Sequence, residues 1–295
     1  MARFVAIDLA GISPAGVVEA LDFEAILKEL KDYVVERLAE FGVEYDVQDL
    51  ESDPVVKVLE VIAYRELLLR GRVNNAARAV MLAYAQGSDL DHLGAYYGVQ
   101  RRLITPAEGD QPAVYESDES LRRRIQLAPE ALSTAGPEGA YAFHTLTVDP
   151  SIRDVAVIKG APGHVYVIPL VHGGNGVPSD ELLDRIRDRL SEEDIRPLTD
   201  IVTVIGPEVV EYSVEVQLSI ASGPDPAAVK AAAEEAINKY CSSRHLVGRV
   251  VARSGLLGAA HVPGVEKAIL ISPAEDVDPG EMGTAVPSSI LITVV

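Results

Sequence analysis

The Gly-rich loop His172-Gly173-Gly174-Asn175-Gly176 follows a β-branched run and precedes a helical one. In that context backbone N–H groups can cradle a phosphate or an oxyanion. The loop has neither the GxGxxG spacing of dinucleotide sites nor the GK[ST] of a P-loop. Its HGG start has the form of an esterase oxyanion loop, yet no GxSxG nucleophile elbow occurs in the chain, so a flexible turn is the better reading. Asp89, Asp91 and His92 bring two carboxylates and an imidazole close together, which is acceptable zinc or manganese chemistry. A third and fourth ligand are missing at any familiar spacing, and there is no HExxH. The plainer expectation is that Asp89 caps a short helix and its neighbours sit on a wet face. Two cation clusters, Arg122-Arg123-Arg124 and Arg185/Arg187/Arg189, are interleaved with acids and read as solvated helix faces.

Composition narrows the chemistry further. Lys and Arg number 26 against 45 Asp and Glu, a net charge of −19 that repels phosphate backbones and argues against nucleic-acid binding. The acidity is general: 11 cations and 17 anions in residues 1–105, 9 and 17 in 106–205, 6 and 11 in 206–295. With no Trp and few other aromatics, stacking platforms for bases or sugars are scarce. A lone Cys241 excludes an intrachain disulfide and a Cys-based zinc site. The first twenty residues do not read as a signal peptide, and no apolar run is long enough to span a membrane. The expectation is a soluble protein of a reducing compartment, without cofactor or metal.

The elements that would position these groups begin with helices. Residues 22–41 place Phe23, Ile26, Leu27, Leu30, Val34 and Leu38 at helical spacing behind an Asp22 N-cap. Asp53-Pro54 opens a second helix, expected to run without a proline to Gln86, with Gly87 as its stop and Gly71 as its weak point. At 1.5 Å per residue that is a rod of roughly 50 Å. Along it Val55, Leu59, Ile62, Glu66, Leu69, Val73, Ala76, Val80 and Ala83 alternate by four and three, the period of a coiled-coil seam. Such a seam packs within its own domain or bundles with other chains. A charged Glu66 in it would need a cation, Arg65 or Arg70 of a neighbouring helix.

Beyond a polar, proline-broken stretch at 101–116 the pattern changes. Helices at 118–128 and 139–147 precede strands at Ile152–Lys159 and His164–Leu170, a helix from Ser179 and a strand at Ile201–Ile205. Strand, helix and strand then recur from Tyr212 to the end, which suggests two related units in tandem. The fold class expected is α+β: an N-terminal long-helix bundle domain followed by two mixed α/β domains of β-β-α-β-like order. The expected divisions are 1–50 (arm and first helix), 51–105 (core-bundle segment), 106–205 (middle domain) and 206–295 (C-terminal domain).

Residues 53–101 resemble the baseplate J-like family, the baseplate wedge proteins of contractile-tailed phages and R-type tailocins. The matching pieces are Asp53-Pro54, Glu60 with Ala63-Tyr64-Arg65-Glu66, Arg70-x-Arg72-x-Asn74, and Gly87-x-Asp89-Leu90-Asp91-x-Leu93-Gly94. A second block holds Glu116-Ser117-Asp118-Glu119, Arg122-x-Arg124-Ile125, Ala128-Pro129-Glu130-Ala131 and Ala135-Gly136-Pro137-x-Gly139-Ala140-Tyr141, and a third is Arg196-Pro197-Leu198-Thr199-Asp200. The resemblance implies a structural subunit made in the bacterial cytoplasm and built into a tail baseplate. Its implied partners are a second copy of itself and a third wedge subunit in a helical core bundle, and neighbouring wedges through the C-terminal domains. Hub, spike and sheath-initiating proteins complete the set, and the ring opens when the sheath contracts. On this reading the seam residues Leu59, Ile62, Arg65, Glu66, Leu69, Arg70, Val73, Ala76 and Val80 form a subunit interface. The competing expectation is a soluble hydrolase or metal-dependent enzyme using His172–Gly176 or Asp89/Asp91/His92.

Overall fold

The computed structural model describes residues 7–294 apart from 8, 14, 46–51, 110, 134, 193–194, 222 and 224. The start of the N-terminal arm and the expected division at residue 50 lie outside the described residues. The chain forms two compact units, Ile7–Gln100 and one that begins at Arg101. Helices come first and mixed sheets follow.

In the first unit, α1 (Phe23–Glu40) is capped by the Asp22 carboxylate, which accepts from the Ala25 amide. The Asp53 carboxylate caps α2 (Pro54–Ala79), accepting from the Val55 and Val56 amides and from the Tyr45 hydroxyl at 2.7 Å. That phenol is pushed up to about 12, first by its hydrogen bond to Asp53. The two helices close over Ile26, Leu27, Leu59 and Ala63, flanked by Phe23, Leu30, Val34 and Leu67. Farther along, the buried Asn74 side chain both accepts from the Glu19 amide and donates to its carbonyl, pinning the segment before α1.

The long helix is shorter than its sequence predicts. α2 stops at Ala79, so its 26 residues span roughly 39 Å. No proline or glycine ends it there. Instead the chain turns through 80–86, where Ala85 is buried and the Tyr84 hydroxyl donates to the Ile12 carbonyl. Gly87, with φ of 52°, opens α3 (Gly87–Ala95) rather than terminating α2. Gly71 does not break the helix either. A Cβ there would sit 3.5 Å from a Leu21 methyl, an ordinary contact. Gly71→Ala is therefore expected to stabilise the unit by about 0.5–1 kcal/mol, read from urea midpoints.

The second unit starts with a short antiparallel pair, β1 (Leu103–Thr105) and β2 (Val114–Tyr115), within the polar, proline-broken stretch. α4 (Asp118–Leu127), a 3-10 turn (Ala128–Leu132) and α5 (Glu138–Val148) follow. β3 (Ile152–Lys159) and β4 (His164–Val171) form an antiparallel hairpin, and α6 (Asp180–Leu190) returns the chain to β5 (Ile201–Val204), parallel to β4. One face of this sheet packs Val155, Val157 and Val167 against Tyr141, Leu146, Leu183 and Ile186. The other packs Ala156, Ile168 and Leu170 against Val247 and Met282 of the C-terminal part. Burial on both faces explains why these strands read as continuous apolar runs.

The last sheet has order β7-β6-β8: β6 (Glu208–Ile220) in the centre, β7 (Val265–Ser272) antiparallel to it and β8 (Gly283–Val294) parallel. β6 turns Tyr212, Val214, Val216 and Leu218 onto α7 (Pro226–Arg244) and α8 (Arg253–Ala260), while Glu211 and Ser213 face out. Burial pushes up the Cys241 thiol in this core. The tandem relationship expected between the two sheets does not extend to strand order. One helix between β4 and β5 carries the chain back for a parallel return. Two helices between β6 and β7 leave it at the opposite end, so the return is antiparallel.

Candidate assembly interface

α2 carries apolar residues on more than one face, and among the described residues only the face toward α1 is covered. Val56, Leu59 and Ala63 are buried on the α1 side. Val55, Val58, Ile62, Leu69 and Val73 recur on the adjoining face, with Val80 at the C-cap beyond them, and all are exposed: Leu69 by 60%, Val73 by 59% and Val80 by 71%. Val61, Tyr64 and Leu68, on a further side of the helix, are exposed too. A row of uncovered aliphatic side chains at coiled-coil spacing on one helix is what an interaction surface exposes before assembly.

The structure distributes the expected seam residues as follows. Ile62, Arg65, Leu69, Val73 and Ala76 are exposed on α2, Val80 is exposed at its C-cap, and Leu59 turns inward to α1. Glu66 is half-buried and is not waiting for a neighbouring helix. Arg70, one turn on, donates to it through Nε at 2.9 Å and Nη2 at 2.5 Å, and Arg70 also lies 3.5 Å from Glu19. The hydrogen bond to Glu66 holds the Arg70 guanidinium above its usual range. The side chains missed by the alternation were Val58, Val61 and Tyr64. Reading all three helical strips of α2, rather than the best one, would have found them.

Asp89, Asp91 and His92 are exposed on α3. Gln86, not Asp89, occupies the N-cap position, and it makes no side-chain cap. Asp89 and His92 line an open groove of about 590 Å³ with Ala79, Val80, Leu93 and Tyr96. Among the described residues no group of three or more His, Cys, Asp or Glu could hold a metal. In the 172–176 loop His172 donates to the Ser151 carbonyl and Gly176 to the Gly173 carbonyl, and just beyond it Val177 donates to the Asn175 side chain. The loop is a turn closed against β4, where a Cβ on Gly176 would collide with Leu170.

The cation clusters split. Arg185, Arg187 and Arg189 pair with Asp149, Asp184 and Glu192 at the surface, as solvated faces do. Arg123 and Arg124 do not fit that expectation. Arg124 is buried and bonds the buried Glu116 at 2.6 Å, while Arg123 bonds the buried Asp154. A three-residue arginine run cannot keep all its members on one face of a helix, and α4 turns this part of it into the unit.

The family models of the Baseplate J-like N-terminal, central and C-terminal domains match residues 51–108, 133–206 and 212–293 in that order. The chain belongs to the Baseplate J-like family. It is thus a structural wedge subunit of the baseplate of a contractile injection system. Baseplate protein J of Escherichia phage P2 is 43% identical over 277 residues, covering 92% of both chains. A chain in the cryo-EM structure of the anti-feeding prophage baseplate is similar at a TM-score of 0.43 and 18% identity, over 61% of this chain and 43% of that one. In this Baseplate J-like chain the N-terminal match contains the exposed face of α2, and the central and C-terminal matches cover the two sheets.

Proposed function

We propose that this wedge subunit works by assembly without turnover, and that the exposed face of α2 is its core-bundle interface. The partners on that face are a second copy of the chain and a third wedge subunit. The C-terminal sheet domain joins neighbouring wedges into a ring around the hub and spike, beside the sheath-initiating proteins, and the ring rearranges when the sheath contracts. The chain is made in the bacterial cytoplasm and is then incorporated into the particle. Its division into an arm with α1, a core-bundle segment, a middle domain and a C-terminal domain follows these tasks.

The observation that carries the reading is the uncovered row Val55, Val58, Ile62, Leu69, Val73 and Val80. Fully burying an aliphatic side chain of this size contributes about 1.5–3 kcal/mol, from which the costs of association are subtracted. Leu69→Asp with Val73→Asp places two charges on that face while touching nothing in the chain's own core. The isolated double variant is expected to keep its thermal midpoint, since exposed substitutions away from special features change stability by about 0.5 kcal/mol or less. Co-purification with wedge partners and formation of complete tails are expected to be lost. Normal tails from the double variant would overturn the reading.

A further inference from the structure

Where α4, the start of β3, the end of β4 and the end of α7 meet, there is a cavity of about 510 Å³ lined by Arg102, Arg123, Arg124 and Arg153, with His172 and Ser243 on its wall. Four guanidiniums around one cavity are unexpected in a chain of net charge −19. Two of them face buried carboxylates: Arg124 bonds Glu116, and Arg123 bonds Asp154. The other two bond neutral acceptors. Arg102 donates to the Leu146 carbonyl and Arg153 to the Ser242 carbonyl. Glu119 supplies the only carboxylate among the residues lining the cavity itself. Even counting the buried Glu116 and Asp154, positive charge is in excess.

We propose that this cavity is a binding site for a small phosphate-class oxyanion, held chiefly by Arg102 and Arg153 with Arg123 beside them. Planar guanidinium forks match the oxygens of such an anion, and bonds between ionised partners are stronger than neutral ones. Without an anion the site is electrostatically costly. Burial and the neighbouring Arg124 charge push the Arg102 guanidinium down to about 10, and Glu116 and Asp149 offset this only in part. Burial and the Arg153 charge push His172 down as well. The N-terminus of α4, whose N-cap Ser117 and first-turn Ser120 line the cavity, adds the favourable end of a helix dipole. The site spans two parts of the unit. Arg102, Arg123 and Arg153 belong to the layer around the middle sheet, Ser243 to the end of α7 and Leu246 to the turn after it. A bound anion would clamp that junction.

The test uses the full-length chain titrated with inorganic phosphate, with chloride at matched ionic strength as the reference, followed by 31P line width and by the thermal midpoint. A saturable response to phosphate beyond that to chloride is expected. Arg153→Gln should weaken it about tenfold or more, as loss of a charge-assisted contact does, and Arg153→Lys should restore part of it. Glu119→Gln, at an exposed position that leaves the core untouched, should tighten it several-fold. Hydrogen exchange at 243–246 should slow with phosphate. Equal responses to phosphate and chloride in both the native chain and Glu119→Gln would overturn the proposal. So would undiminished binding by a folded Arg153→Gln variant.

Discussion

Replacing Glu116 by alanine is expected to destabilise the unit that begins at Arg101 by about 3–5 kcal/mol. The carboxylate is buried at the start of α4, where it accepts from Arg124 Nη1 at 2.6 Å, the Ser120 hydroxyl at 2.7 Å and the Arg102 amide. Both side chains of the ion pair are almost wholly removed from solvent. Removing the acid leaves a guanidinium in a low-dielectric setting with its main counter-charge gone, and that, more than the lost bond, sets the magnitude. In a unit of this size the loss corresponds to a fall of about 10 °C in the thermal midpoint. Replacing both partners by methionine removes the stranded charge and should recover much of the loss. A midpoint for Glu116→Ala within about 2 °C of the native chain would contradict this account.

Gly283→Ala should be nearly as damaging, for a steric reason. Gly283 opens β8 in register with Glu208 of β6, and its carbonyl accepts from the Gly248 amide at 2.7 Å. A Cβ there would lie 2.1 Å from the Pro279 carbonyl oxygen and 3.0 Å from that of Glu208. Neither obstacle is a flexible side chain, so relief requires β8 or the 279–282 turn to move. Overpacking commonly costs about 1–3 kcal/mol, and backbone obstruction places this case at the upper end or beyond. Gly258→Ala in α8 is the matched control, because a Cβ there meets nothing within 4 Å. It should stabilise by up to about 1 kcal/mol, and urea midpoints of the two variants should move in opposite directions.

Much of the local architecture was legible because its causes are local. Asp22 and Asp53-Pro54 mark helix starts by carboxylate capping and a pre-set proline φ, and both caps are formed. The strand expected from Tyr212 is formed, and along it Val214, Val216 and Leu218 are buried while Ser213 is exposed, because helices cover one face of that sheet. The end of α2 was not legible. Nothing in residues 80–86 breaks a helix, and the turn is held by the buried Ala85 and by Tyr84 bonding Ile12, more than seventy residues away in sequence. α8 and the β1–β2 pair escaped notice because eight residues or fewer carry too little periodicity.

The candidate residues divide in the same way. That α2 is rich in apolar residues at coiled-coil spacing is a property of sequence, as is the order of motifs that places the chain in its family. Which strip of α2 faces α1 and which stays uncovered depends on how two helices pack, so Leu59 turned inward while Leu69 and Val73 did not. The same holds for the cations. Arg122-Arg123-Arg124 reads as one solvated cluster in sequence, but burial of Glu116 and Asp154 draws two of the three into the unit and leaves an arginine-lined cavity beside them. Helix caps, strand alternation and family motifs are determined by residues near one another in the chain. The helix end, the exposed seam and the charged cavity were decided only in the tertiary structure, because each depends on contacts between residues far apart in sequence.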